Sequence, residues 1–399
     1  MPLVERSREC ETAKAIVGRR VARPLDRVLS FSLLRLRGCY RHAVCGCFRS
    51  RSSALAKFAI HSVRRLARRR LQRVLPLVCV ALSACERTPL NYLTASGPAS
   101  RSILQLTWGL TAVSSAVVVI ITGLLLWAIF RPRADGGSVA SVSRTHAGMP
   151  WIYIGVGIST VVLFICSAWS LVTLAHVGSP STKPALSIEV IGHQWWWEVH
   201  YRGDPIDRNF STANEIHIPV GQPVQVRLST RDVIHSFWVP QLNGKTDTIP
   251  GQTNVTWLQA DKPGAYYGQC TEYCGLQHAH MGLVVVAEPQ EKFAAWWAQQ
   301  LSAAAPPGGP AAAGQDLSMQ HCSTCHSVRG TLAGGGLGPD LSHVAGRMRV
   351  PSGVLPNTRE NLSHWVAHPQ SIKPGALMPN PVLKDDELKL VIAYVETLK

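Results

Sequence analysis

The chain has 399 residues, with 40 Lys and Arg against 24 Asp and Glu and a formal charge of +16. Residues 1–84 alone hold 19 Lys/Arg against 4 Asp/Glu, a net of +15, so the remainder is close to neutral and a nucleic-acid surface on it is excluded. The length suffices for two or three domains.

Residues 1–70 form an Arg-rich N-terminal extension without a sustained hydrophobic period. After them, "LQRVLPLVCVALSAC" at 71–85 has a basic start, an apolar stretch from Val74 to Leu82 and a small-residue ending. That is the anatomy of a signal peptide. The ending "LSAC" is similar to the lipobox of bacterial lipoproteins, which implies lipidation of Cys85 and a mature chain that begins there. An uncleaved anchor or an ordinary signal peptide is the alternative. Residues 1–70 are expected to fall outside the mature protein, and Cys10, Cys39, Cys45 and Cys47 carry no role.

Between 101 and 176 lie two long apolar runs. Ile103–Phe130 contains 28 residues without a charge and Trp151–Ala175 contains 25. Each exceeds the ~20 residues that cross a bilayer, so a transmembrane helix hairpin is expected. The loop between them carries Arg131, Arg133 and Arg144 against Asp135, which places it in the cytoplasm and everything after His176 outside. Cys166, inside the second run, behaves as a small apolar residue.

From 184 to 290 the pattern shortens to alternating runs. "EIHIPV" and "PVQVRLS" put Ile216, Ile218 and Val220, then Val224, Val226 and Leu228, on single faces, and turn residues separate them. An all-β sandwich or small barrel is expected. Between two such strands sits "CTEYCGLQHAHM", with Cys270, Cys274, His278 and Met281. In an exported protein a Cys270–Cys274 disulfide is one reading and a zinc site another. Neither uses Met281, a soft ligand suited to copper. His235 in "DVIHSFWVP" adds an imidazole at a strand end.

"LSAAAPPGGPAAAG" at 301–314 reads as an Ala/Pro/Gly linker. Beyond it "CSTCH" is a C-x-x-C-H sequence, read as covalent attachment of haem c through Cys322 and Cys325, with His326 on the iron. A disulfide or half a zinc site is the alternative. A second axial ligand is commonly methionine. Met378 in "IKPGALMPN" is the candidate, ahead of Met319, which lies too near the attachment site, and Met348. At the C-terminus Leu388, Val391, Ile392, Val395 and Leu398 share one helical face, with acids leading the first turn. His343, His364 and His368 are read as surface residues.

"DVIHSFWVP", "KTDTIPG" and "CTEYCGLQHAHM" resemble, in this order, the motifs of subunit II of haem–copper cytochrome c oxidases, whose all-β Greek-key cupredoxin domain holds the dinuclear copper centre CuA. The resemblance implies that Cys270 and Cys274 bridge two coppers, that His235 and His278 are terminal ligands, that Met281 is a weak ligand, and that Glu272 binds through its backbone carbonyl. It also implies that the Glu272 side chain reaches a magnesium ion shared with subunit I. His278 is favoured over His280 by the family pattern, and His193, His200 and His217 are read as strand or surface residues. "IGHQWWWEV" puts Trp195 where the family has the tryptophan linked to electron input from cytochrome c; Trp196 and Trp197 are assigned to core and interface. Two departures stand out. "THAGMPWIYIG" lacks the glutamate often found at the start of the second span, and Gln252 stands where an arginine is common.

"IKPGALMPN" and "LGPDL" resemble the class I cytochromes c, an all-α fold that would occupy 315–399. In this order the modules look like subunit II of a caa-type oxidase. The expected role is electron input: from the c-type haem to CuA and on to subunit I, where O2 is reduced to water with proton translocation. The resemblance implies subunit I, subunit III and an upstream cytochrome c or quinol–cytochrome c reductase as partners, at the bacterial inner membrane with both redox domains on the periplasmic side. A nitric-oxide-reducing relative and a copper-handling protein are the alternatives.

Overall fold

The computed structural model describes residues 89–131, 148–184 and 186–399. The extension at 1–70, the signal at 71–85 with Cys85, and the loop charges Arg133, Asp135 and Arg144 lie outside the described residues.

Two long helices come first, α1 (Pro98–Phe130) and α2 (Met149–Gly178). Pro98 opens α1 with a preset φ and no donor to lose. Both helices turn large apolar side chains outward; Phe130 is 73% exposed and Phe164 72%. Both are long and apolar enough to cross a membrane. They meet where Trp169 of α2 covers Gly109 of α1, a place where a Cβ would come within 2.3 Å of the indole. Each is tied to the β-domain at one end. Ser100 Oγ donates to the Gln241 carbonyl (2.6 Å) and Arg101 pairs with Asp261 (2.5 Å) beside the start of α1. Near the end of α2, Trp257 Nε1 donates to the Val177 carbonyl (2.8 Å).

The β-domain has strands β1 (Leu186–His193), β2 (Trp196–Tyr201), β3 (Phe210–Ala213), β4 (Glu215–Pro219), β5 (Val224–Thr230), β6 (His235–Trp238), β7 (Thr246–Thr248), β8 (Asn254–Leu258), β9 (Gly264–Cys270) and β10 (Gly282–Glu288). They form two five-stranded sheets, ordered β3-β2-β1-β5-β8 and β4-β10-β9-β6-β7. β1 runs parallel to β5 and β4 parallel to β10; the other pairs are antiparallel. This cupredoxin-like sandwich encloses Ile188, Val190, Trp197, Val199, Val226, Leu228, Ile216, Ile218, Leu283 and Val285. Alternation holds in β5, which buries Val224, Val226 and Leu228 and exposes Arg227.

In β4 all five residues are buried. The reason is the helix that follows β10, α3 (Gln290–Leu301), whose Trp296 stacks on His217 at 4.1 Å between ring centroids. His217 is therefore a covered strand residue, in keeping with its reading as a strand or surface residue; its Nε2 and Nδ1 lie 3.0 and 2.9 Å from carboxylate oxygens of Glu215 and Glu288.

The last part of the chain is helical. It contains α4 (Pro310–His321), α5 (Arg359–Ala367), the single turn α6 (Pro369–Ile372) and α7 (Asp385–Val395), with the two-residue strands β11 (Arg349–Val350) and β12 (Leu355–Pro356) between α4 and α5. The stretch read as linker to Gly314 is helical from Pro310, because proline starts a helix and the three alanines after it extend one. α7 begins with three acids, and Glu387 accepts from the Lys384 amide (2.8 Å). Its inner face, Val391, Ile392 and Val395 with Leu398, is buried as expected, together with Tyr394. At the α4–α7 crossing a Cβ on Gly314 would lie 1.9 Å from the Leu390 carbonyl oxygen, so only glycine permits this approach. His343 is buried and donates to the Lys399 carbonyl (2.7 Å), a correction to its surface reading. His364 and His368 are exposed.

Candidate metal centre and haem site

The end of β9 and the start of β10 hold the loop from Thr271 to Met281, while β6 brings His235 alongside. Cys270 and Cys274 are free and buried, with Sγ atoms 3.8 Å apart, so the two are not joined as a disulfide. Around them, His235 Nδ1 is 3.9 Å from Cys270 Sγ, and His278 Nδ1 is 3.6 Å from Cys274 Sγ. Met281 Sδ is 3.9 Å from Cys274 Sγ, and the Glu272 carbonyl oxygen is 3.3 Å from Cys270 Sγ. The donor atoms of His235, Cys270 and Cys274 lie within 4.8 Å of one another. His280 points elsewhere, donating to Gln277 Oε1 (2.7 Å) at the surface. The Glu272 side chain is exposed.

This pocket is part of the hydrophobic core, since Cys270, Cys274 and Met281 pack with Phe237 and Trp195. Such surroundings suit soft sulfur donors and exclude water. The hydrogen bond from Cys274 holds the Cys270 thiol down at about 3, helped by His235, while the Cys274 thiol is pushed up by the same contact and by burial. A cation bound by the two sulfurs would displace the protons that they carry. His235 is oriented by Asp232, whose Oδ1 accepts from Nε2 at 2.7 Å and turns Nδ1 to the thiols. Burial lowers the His235 pKa, but Asp232 and Cys270 together outweigh it and the net shift is upward. Gly192 lets β1 pass close beside the ring, because a Cβ there would lie 2.7 Å from His235 Cδ2. Two side chains, Gln194 Nε2 (2.7 Å) and Trp195 Nε1 (3.0 Å), donate to the Cys274 carbonyl and fix the loop.

Asp232 and Gln194 escaped the sequence reading, although both lie within three residues of an assigned residue. Trp196 stacks on His193 at the half-buried edge, and Trp197 is wholly buried, as expected for core and interface aromatics.

In the helical domain Cys322 and Cys325 are free and half-buried beside His326. His326 Nδ1 donates to the Pro339 carbonyl (2.8 Å), which leaves Nε2 available as an iron ligand. Burial pulls its pKa below the usual value and keeps the ring neutral, as ligation requires. Gly338 makes room for this ring, since a Cβ there would lie 2.6 Å from Cε1. Met319, Val328, Leu341, Tyr394 and Val395 line the apolar space beyond. Met378 lies in the loop after α6, half-buried, its carbonyl held by Gln370 Nε2 (2.7 Å). Met348 is 44% exposed and its amide donates to Glu215.

Residues 204–288 match the family described as cytochrome c oxidase subunit II, periplasmic domain, and residues 311–399 match the cytochrome c family. The chain is 31% identical to cytochrome c oxidase subunit 2 of Alkalihalophilus pseudofirmus, over 82% of this chain and 97% of that protein. The chain belongs to the cytochrome c oxidase subunit 2 family. The subunit 2 of Bacillus subtilis is 28% identical over 83% of this chain and 98% of its own length. Among solved structures, the periplasmic domain of subunit II of the Bradyrhizobium japonicum cytochrome oxidase is similar, at 34% identity over 30% of this chain and 95% of that one, with a TM-score of 0.28. For a member of this family the donor set around Cys270 and Cys274 fits the CuA copper centre, and the C-terminal domain fits haem c. Membership also makes the chain an oxidase subunit.

Proposed function

We propose that the chain is the electron-input subunit of a respiratory haem–copper terminal oxidase that reduces O2 to water in subunit I. When bound, haem c and the copper pair each carry one electron at a time, and the proposed order is haem, copper, subunit I. The observation that carries this reading is the convergence of His235, Cys270, Cys274, His278 and Met281 in one buried pocket, on a chain that also holds "CSTCH". Cys270 and Cys274 would bridge the metals, His235 and His278 would end the pair, and Met281 and the Glu272 carbonyl would be weak ligands. With copper bound, thiolates shared by both metals would spread one electron over the pair, so that little rearrangement would accompany transfer.

Cys322 and Cys325 would fasten the haem, with His326 and Met378 as axial ligands. Trp195 is 8% exposed and lies against Gly375 of the cytochrome domain, so a separate donor has no access to it in this conformation. Electrons from an upstream cytochrome c or quinol–cytochrome c reductase therefore come in at the haem domain. The exposed Glu272 carboxylate is available for a magnesium ion shared with subunit I. Helices α1 and α2 would span the bacterial inner membrane beside subunits I and III, with both redox domains in the periplasm and proton translocation in the partner.

The test is spectroscopic and enzymatic. The purified holoprotein should show mixed-valence copper bands and a low-spin c haem, and its complex should consume O2. A single labile copper lost to a mild chelator would favour a copper-handling protein, and nitric oxide as the preferred substrate would favour the nitric-oxide-reducing relative. Met378→Ala should retain covalent haem but lower its potential, since methionine ligation raises it; an unchanged potential would reject Met378 as ligand.

A further inference from the structure

The cytochrome domain meets the copper domain through the residue that touches the copper loop. On the copper side, Trp195 Nε1 donates to the Cys274 carbonyl (3.0 Å). Its own carbonyl faces the cytochrome domain and accepts two hydrogen bonds from there, from Lys373 Nζ (2.6 Å) and Ser352 Oγ (2.9 Å). Lys373 is 2% exposed and Ser352 3%. They belong to separate segments, the loop after α6 and the turn between β11 and β12.

Further backbone contacts flank both. Gln277 Nε2, next to His278, donates to the Pro374 carbonyl (2.9 Å), and the Gly282 amide donates to the Ser352 carbonyl (2.9 Å). Gly375 has φ +85° and lies beside Trp195 and Leu276, where an added Cβ would meet their side chains at 3.6 and 3.4 Å. Five residues after Lys373 the same loop presents Met378.

A buried ammonium is costly unless paired. Among the described residues no carboxylate forms a salt bridge with Lys373. Burial accordingly pulls its pKa down to about 7. A methionine would fill the space without that cost, but it could not donate to the Trp195 carbonyl. The lysine therefore contributes direction rather than packing. It fixes which edge of the cytochrome domain rests on the copper loop.

We propose that Lys373, assisted by Ser352, is a positioning residue for electron transfer: it docks the Met378-bearing edge of the cytochrome domain on the Trp195 carbonyl and so sets the path across which the electron crosses. The proposal rests on the electron-input reading. The step it serves is balanced within the chain: ferrous haem iron is oxidised to ferric as the oxidised copper pair gains that one electron.

The test uses the full-length holoprotein with Lys373→Met and, separately, Ser352→Ala. A photoexcited reductant delivers one electron to the haem, and its arrival at copper is timed in the near infrared. Deuterium uptake at 194–196, 276–282 and 350–354 reports docking independently of transfer. Loss of the hydrogen bond to the Trp195 carbonyl should slow transfer about tenfold or more in Lys373→Met and raise uptake in all three segments. Ser352→Ala should slow it about two- to fivefold. The haem spectrum and potential should stay as in the parent protein. Parent-like transfer and parent-like uptake in Lys373→Met overturn the proposal. If that variant disturbs haem ligation, the same result in Ser352→Ala, whose loop carries no proposed ligand, overturns it. A parent holoprotein that passes no electron from haem to copper refutes the electron-input reading instead, while the uptake comparison still decides docking.

Discussion

Asp232 shows how a residue that touches no metal can govern a metal site. Its carboxylate accepts from His235 Nε2 at 2.7 Å and from the Gln194 amide at 2.6 Å, so it sets both the imidazole and the loop that carries Trp195. Asp232→Asn should weaken copper retention by about 10- to 100-fold, as measured by competition with a chelator. A second residue-scale prediction concerns Glu198, which lies 2.9 Å from His193 Nε2 and 3.0 Å from His200 Nε2. Burial would raise its pKa, but the two histidines win and hold it at about 2 instead of 4.5. Because the folded value is depressed, the stabilisation is present above about pH 4.5 and lost as the pH falls towards 2. The gap in melting temperature between the parent protein and Glu198→Gln should therefore close across that window. The ligand types were legible at this scale, because Cys270, Cys274, His278 and Met281 sit together in sequence. Asp232 and Lys373 were not, since a lone acid or lysine acquires meaning only from what folds against it.

Helix periodicity identified the inner face of α7, and alternation identified β5, because each packs one face on one core. Alternation failed to describe β4, whose outer face is covered by Trp296 from a helix more than 70 residues away in sequence. No local pattern encodes that cover. The α4–α7 crossing is a similar case: Gly314 stood inside an apparent linker, yet it admits the Leu390 carbonyl where a side chain would collide. Gly314→Val should force the helices apart and destabilise the haem domain by about 1–3 kcal/mol. The check is thermal unfolding followed in the haem band, and the copper bands should persist beyond it. An unchanged midpoint would mean that the crossing relaxes without loss.

For the whole molecule, the order of modules was readable from motifs, but the burial of Trp195 under the cytochrome domain was not, because docking depends on carbonyl and side-chain positions that only the fold creates. The domains are held together by non-covalent contacts, those at Trp195 and those of Met348 with Glu215 and Arg329 with the Asn209 carbonyl among them, and by the short exposed connection after α3, which includes Pro306, Gly308 and Gly309. A tether of this length keeps the haem near copper at an effective concentration of about millimolar, independent of how dilute the protein is. A protease site inserted between Ala305 and Gly309 separates the two contributions. Before cleavage, haem-to-copper transfer should not change with protein concentration. After cleavage the rate should hold at high concentration and fall on dilution, at a midpoint equal to the affinity of the docked interface alone. In Lys373→Met that midpoint should move to higher concentration by the same factor as the loss of docking, whereas a midpoint shared with the parent protein would assign the docking to the other interdomain contacts, such as that of Met348 with Glu215.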